Sequence, residues 1–506
     1  MTRRVRWWFR RGFWTVLSTW KFRHAEPMVV PRPPDAEEPL RRVPMRTHFP
    51  EVPITAISVA DRIPPDERQR VALLFCRFQA WLNRVASPMQ RGLPEVDPNP
   101  YDAMTRAFSR SYRRCFRAPA RPDGLERLPD LGMLAVASPY ACYLTQVGDG
   151  AYEWDLTSLE GPEVQPGVVP PWARVRFELD AASRRPRPVE VRSALGVTTP
   201  QSQGWDESLR LATCAATTHL SLVRHWNWLH LIFGGPLAMA TRNTLPGRHP
   251  LRRLLHPHVY ATQSSNEFVT YVQMYDGGDF ESIFSYTHRG TCELLESTRG
   301  GFDLRMLNPV TDVAWRGVRG LEVDTPSFDN RSEFLGLFYR HAARYLALYF
   351  DDDRLAADAA VSAWLEAVRA IAPAGLDEVL GPTVTIHGVA VLAATIIYMA
   401  TVEHEIVDSG MWDYQLWPDA NPVRIHSTGR RPCLDEYQRV LNFNFNFQTP
   451  RTQLMSDFSV LGLDEAGRQA FRRFYDDLAT LQQRLATLPW APWRIVPAQL
   501  KANINA

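Results

Sequence analysis

His225 and His230 lie in an apolar stretch, HLSLVRHWNWLHLIFGG (219–235), with no acidic residue between them. Six of the chain's 13 histidines fall between 219 and 258. Neutral imidazole suits Zn, Cu, Fe or Ni, so the residue types point to a first-row metal without choosing one. Five residues on a regular α-helix turn about 140° around the axis, too far for two side chains to share an ion. The pair converges only if the helix contains a π-turn, which brings i and i+5 together. His404 and Asp408 are four apart, so they share one helix face and can share a metal. Any one of these histidines alone is more simply a core residue; the combination reads as a metal site. A competing reading takes Glu403-His404-Glu405-Ile406-Val407-Asp408 as one residue away from a zinc-hydrolase HExxH, with Asp408 as second ligand and Glu405 as base. It leaves His225, His230 and the histidines of 249–258 unexplained.

The elements that must carry these residues are mainly helices. Apolar residues at helical spacing predict helices opening at Pro64-Pro65-Asp66-Glu67 and over 101–116, then at 205–242, 264–276, 331–350, 357–372, 383–409, 433–442 and 464–488. Val384–Val402 is apolar enough to pass for a membrane span. It contains His387 and Gly388 and runs into Glu403-His404-Glu405, so it is read as a long helix buried in the core. Between 132 and 196 the pattern changes. Met133–Gln146, Arg174–Leu179 and Arg187–Leu195 read as strands of a small sheet inserted in a helical protein.

The chain has 506 residues, 45% hydrophobic and 22% charged, an ordinary globular balance, and a net charge of +2 gives no reason to expect nucleic acid. Lysine occurs only at 21 and 501, so arginine supplies nearly all the basic charge; we read this as GC-rich, bacterial codon usage. The six cysteines are dispersed, with no CxxC pair, as expected of buried thiols in a reducing compartment. Residues 3–23 carry seven basic and seven aromatic side chains and read either as a segment that contacts a membrane surface or a partner, or as an extension packed on its own domain. Arg10-Arg11-Gly12-Phe13 faintly resembles a twin-arginine export signal, but the apolar run after it is short; the expected location is cytoplasmic, with membrane association or export left open. The organisation expected is an N-terminal extension and Pro-rich linker over 1–48 and a catalytic domain over 49–506, with the β subdomain at 132–196.

His225-Trp226-Asn227-Trp228-Leu229-His230, followed by Arg242 and by His249-Pro250-Leu251-Arg252-Arg253-Leu254-Leu255-His256-Pro257-His258, resembles the iron-helix signature of lipoxygenases, H-W-x-x-x-H and then HPxxxLLxPH. Asp276-Gly277-Gly278-Asp279-Phe280-Glu281 is similar to their glycine-rich segment, and His404-x-x-x-Asp408 falls where they place a third histidine and a weaker ligand. The resemblance covers roughly 130–506. It implies a mainly α, lipoxygenase-like catalytic domain holding one mononuclear non-haem iron, bound by His225, His230, His404 and the Ala506 carboxylate, with Asp408 as a further ligand. In that family a ferric hydroxide takes a hydrogen atom from a pentadiene carbon, and O2 then traps the radical. The implied partners are O2 and an unsaturated lipid or lipid-like metabolite.

The departures from the family shape the expectation. Leu220 and Ser221 stand where His-Gln is usual, with His219 one place further back, so His219 and Ser221 are expected to support the ligands differently. Trp226, Asn266 and Glu267 are expected at the substrate pocket. Glu267 stands where the family carries a small residue. A carboxylate beside an alkyl chain is costly unless paired, so Glu267 favours an alternative: tailoring of a polar or amine-bearing secondary metabolite. With 218 residues before His219, the family's N-terminal lipid-binding β-barrel is expected to be absent. A third class is a non-catalytic scaffold that binds no metal. His249, His256 and His258 are expected to serve packing and loop hydrogen bonds.

Overall fold

A computed structural model describes residues 29–48, 50, 52, 54–68, 123–126, 128–183, 185–319, 326–408, 414–415, 417, 420–429, 452–489, 491 and 494–504. The segment 3–23, the helices expected at 101–116 and 433–442, most of the helix opening at Pro64, and Ala506 lie outside the described residues.

The first described elements are two short antiparallel strands, β1 (Arg42–Pro44) and β2 (Ser58–Ala60). Helix α1 (Leu131–Ala137) follows, then a 3-10 turn over Pro139–Tyr143. This corrects the strand expected at Met133–Gln146, of which only β3 (Thr145–Gly148) is strand. A short, largely buried apolar run carries no period that separates strand from helix. Capping decides it. Met133 N donates to Asp130 Oδ1 at 3.1 Å and Tyr140 N to Ser138 Oγ at 3.0 Å, with Pro139 at the first position of the 3-10 turn.

β3 begins a five-stranded antiparallel sheet completed by β4 (Ala151–Asp155), β5 (Ala173–Leu179), β6 (Pro186–Ser193) and β7 (Gly196–Thr198), in sequential order. Alternation sets its inner face: Tyr152, Trp154, Val175, Phe177 and Val191 are buried, while Arg174 and Asp155 pair across the outer face at 2.6 Å.

Among the described residues, the regular elements after the sheet are helices. α2 (Trp205–Thr218) runs without a break into a π-helix, His219–Gly234, and then α3 (Gly235–Thr244). α4 (Pro250–Val259) and α5 (Thr262–Val269) follow, and α5 also ends in a π-turn, Thr270–Met274. α6 (His288–Thr298) packs on the π-helix, α7 (Pro309–Trp315) on α8 (Pro326–Leu346), α9 (Ala359–Ile371) on α3, and α8 on the long apolar helix. That helix is α10 (Ile386–Tyr398), a π-turn at Met399–Glu403, and α11 (His404–Asp408). This helix is long and apolar enough to cross a membrane, but 83% of its apolar window is buried inside the protein, as a core helix requires. α12 (Glu465–Ala486) precedes the tail. Buried apolar side chains of the sheet, the π-helix and α10 form one continuous core.

Ion pairs fasten the N-terminal segment to this core. Glu37 receives Arg252 Nη2 at 2.7 Å and Arg242 Nη1 at 3.1 Å, with all three side chains buried.

Candidate metal centre

The π-helix does what the five-residue spacing demands. Gly235 N donates to His230 O, an i to i−5 bond, and His225 and His230 come to one face. Their Nε2 atoms lie 3.1 Å apart. His404 Nε2 is 3.2 Å from each of them. The three nitrogens thus form a nearly equilateral triangle at the meeting of the two longest core helices. An ion about 2.1 Å from each nitrogen fits over such a triangle, so the residues present suit a first-row metal. Expectation and structure differ in extent. The sequence predicted one π-turn; the π-geometry spans 16 residues here and recurs before His404. Nothing in residue type flags the turn at Met399–Glu403.

The triangle is buried. His225 is 9% exposed and His230 and His404 are fully buried. Desolvation pushes His225 and His230 down to about 3, so both imidazoles are neutral near neutral pH. His230 Nδ1 donates to Asn266 Oδ1 at 3.0 Å, and Asn266 Nδ2 donates back to the His230 carbonyl at 3.1 Å. The amide therefore fixes both the ring and its backbone, and leaves Nε2 as the acceptor. Asn266, expected at the pocket wall, is the hydrogen-bond partner of His230.

The rest of the π-helix is anchored outward. Asn227 Nδ2 donates to Leu295 O at 2.7 Å and to Thr298 Oγ1 at 3.0 Å, and Trp228 Nε1 donates to Thr298 O at 2.9 Å. Trp226 packs on His230 with ring centroids 5.3 Å apart and donates to Met274 Sδ at 3.4 Å. Glu267 is half-buried on α5. His219 bonds Tyr143 Oη through Nδ1 at 3.1 Å and stands edge-on to Trp228. Ser221 Oγ donates to Thr217 O at 2.8 Å and accepts from Gln415 Nε2 at 3.1 Å.

Asp408 lies outside the nitrogen triangle. Its Oδ2 accepts from Lys501 Nζ at 2.7 Å, and both side chains are largely buried. Lys501 was not singled out from the sequence, although it is one of only two lysines. Also missed was the pair one residue upstream of His225 and His404: Arg224 Nη2 donates to buried Glu403 Oε1 at 3.2 Å, tying the π-helix to the long helix. A charged residue beside His225 and another beside His404, each in an otherwise apolar run, was the available signal.

The tail approaches the same place. His258 Nδ1 donates to Ala502 O at 2.6 Å, and Ala502 N donates to Thr452 O at 2.8 Å. Ile504 is buried against Gly234, where a Cβ would collide with Ile504 Cδ1. His249 caps α4 by accepting from Leu251 N at 3.2 Å, and His256 Nε2 donates to Pro31 O at 2.9 Å.

No protein-family profile matches the chain. Similar curated proteins include the polyunsaturated fatty acid lipoxygenase ALOX12 of Homo sapiens, 26% identical over 187 residues, covering 36% of this chain and 28% of that protein. The linoleate 9S-lipoxygenase 2 of Oryza sativa subsp. japonica is 27% identical over 226 residues, covering 42% and 25%. The matches thus span about a quarter of the relatives' length. Among solved structures, a calcium-dependent 11R-lipoxygenase superposes with a TM-score of 0.70 at 14% identity, covering 92% of this chain and 78% of that one. The manganese lipoxygenase of Gaeumannomyces graminis superposes at 0.69 and 12% identity, covering 98% of both. The fold is the lipoxygenase fold, and the chain is a lipoxygenase-like protein.

Proposed function

We propose that this chain is a mononuclear non-haem iron oxygenase of lipoxygenase type, acting with O2 on an unsaturated lipid or lipid-like metabolite. The observation that carries the proposal is the convergence of His225, His230 and His404 Nε2 within 3.2 Å of one another. These residues would hold the metal, with the Ala506 carboxylate as a further donor. When bound, the iron supplies the one-electron chemistry that hydrogen abstraction from carbon needs. The chain does the rest. Burial holds the His225 and His230 imidazoles unprotonated and excludes bulk water, and Asn266 fixes the His230 ring. Trp226 and Phe280 give the centre an apolar, aromatic side suited to a hydrocarbon chain. Lipid substrates are named in the relatives, and one structural neighbour was solved with arachidonate at 15% identity and a TM-score of 0.70.

The zinc-hydrolase alternative has less support, since Asp408 pairs with Lys501.

The test is the metal content of untagged protein beside a variant extended after Ala506, with linoleate oxidation followed by conjugated-diene absorbance. One equivalent of iron, reduced by the extension, and diene formation are expected. Manganese in iron's place would correct the metal alone. Zinc, or no metal in either form, overturns the proposal.

A further inference from the structure

A cavity of about 300 Å³ lies beside the two metal-bearing helices, with none of the three ligand histidines in its wall. Its polar wall is charged and unevenly paired. Arg224 is bound to Glu403, and Arg316 holds Asp312 through Nε at 3.0 Å and Nη2 at 2.6 Å. Arg331 stands in the same wall, and its guanidinium has no hydrogen bond or ion pair among the described residues. Tyr398, 1% exposed, also lines the cavity and makes no hydrogen bond through Oη among the described residues. Arg319 and Asp329 are exposed at the rim and offset each other in charge.

The inner charge therefore sums to one surplus guanidinium facing a partly open cavity. An unpaired charge taken out of water is costly, and a carboxylate answers a guanidinium with two parallel hydrogen bonds. The remaining wall is apolar, including Val136, Leu144, Met306 and Phe328. We propose that this cavity is a binding site for a small amphipathic monocarboxylate, its head group on Arg331 and Tyr398 and its tail on the apolar wall. Arg224 precedes His225 and Glu403 precedes His404, so an occupant that competes for Arg224 acts on the link between the two metal-bearing helices. The site goes beyond the oxygenase reading and does not depend on it.

The test is a calorimetric titration of octanoate into the full chain, with octan-1-ol as the uncharged control. We expect one octanoate per chain, octan-1-ol at least tenfold weaker, at least a tenfold loss in Arg331→Met, and a smaller loss in Arg331→Lys, which keeps the charge. His230→Ala should retain octanoate binding while losing metal, which separates this site from the metal centre. Competition with linoleate identifies the source of the carboxylate. Displacement of octanoate assigns the cavity to a lipid's own head group, simultaneous binding assigns it to a separate small acid, and both support the site. Equal binding of octan-1-ol, unchanged affinity in a folded Arg331→Met, or loss of octanoate in a folded His230→Ala overturns it.

Discussion

His258 Nδ1 donates to the Ala502 carbonyl at 2.6 Å, a bond across 244 residues that holds the tail against the π-helix. The last histidine of the HPLRRLLHPH element is thus a peg for the chain's end. Replacing it leaves a buried carbonyl unpaired, at a cost of about 1–3 kcal/mol. His258→Ala should lower the urea midpoint by a corresponding amount and weaken metal retention on dialysis against a chelator. Unchanged metal retention would detach the tail from the site.

Asn266 should control the metal site without being a ligand. Its carbonyl oxygen orients His230, and loss of such a partner typically weakens metal affinity about 10–100-fold. Asn266→Leu should show a loss in that range by competition with a chelator, with the helical circular-dichroism signal intact. Asn266→Asp keeps the acceptor and should recover most of the affinity. Equal affinity in Asn266→Leu and the parent would reduce the bond to packing.

The convergence of His225 and His230 was legible because the sharing of one ion is written in spacing. The five-residue step from His225 to His230 has one helical solution, and the structure adopts it. The helices themselves followed from apolar period: α8, α9, α10 and α12 lie where the pattern places them. What escaped were features made by tertiary contact. Residues 131–143 are apolar on every side, so only the caps at Asp130 and Ser138 separate helix from strand. Lys501 meets Asp408 across 93 residues, and no local pattern announces such a pair. Asn266 was placed near the site by resemblance, but its bond to His230 depends on how α5 packs on the π-helix.

Stability should fall with pH well above the carboxylate range. Desolvation lowers His219 and His341 to about 3 and His258 to about 4, whereas an unfolded histidine titrates near about 6.5. Above that value the groups are neutral in both states, and their contribution is fully present. As pH falls from there towards 4, the unfolded chain takes up protons that the folded chain refuses, so stability is lost. The loss approaches about 1.4 kcal/mol per pH unit for each such histidine. His341 stacks on Phe474 with centroids 4.1 Å apart, so His341→Phe keeps the ring and removes the titration. Urea midpoints of that variant should depend less steeply on pH between 6 and 4 than those of the parent. Parallel slopes would mean that His341 does not report this linkage.

The partners Asp408 and Lys501 give the sharpest means of separating structure from ligation. Their side chains are 3% and 12% exposed, so the pair is nearly dry. Removing one partner of a buried pair leaves the other charge uncompensated, at about 3–5 kcal/mol. Lys501→Met should therefore destabilise by roughly that amount, because the Asp408 carboxylate must then be buried alone or protonated. The double variant Lys501→Met, Asp408→Leu removes both charges and should regain much of the loss. Metal content supplies the second readout. If Asp408 serves only the ion pair, Asp408→Asn binds the parent's stoichiometry of metal, since His225, His230 and His404 are untouched. If metal is lost from a folded Asp408→Asn while Lys501→Met retains it, the carboxylate is a ligand and the pair with Lys501 is secondary to that role.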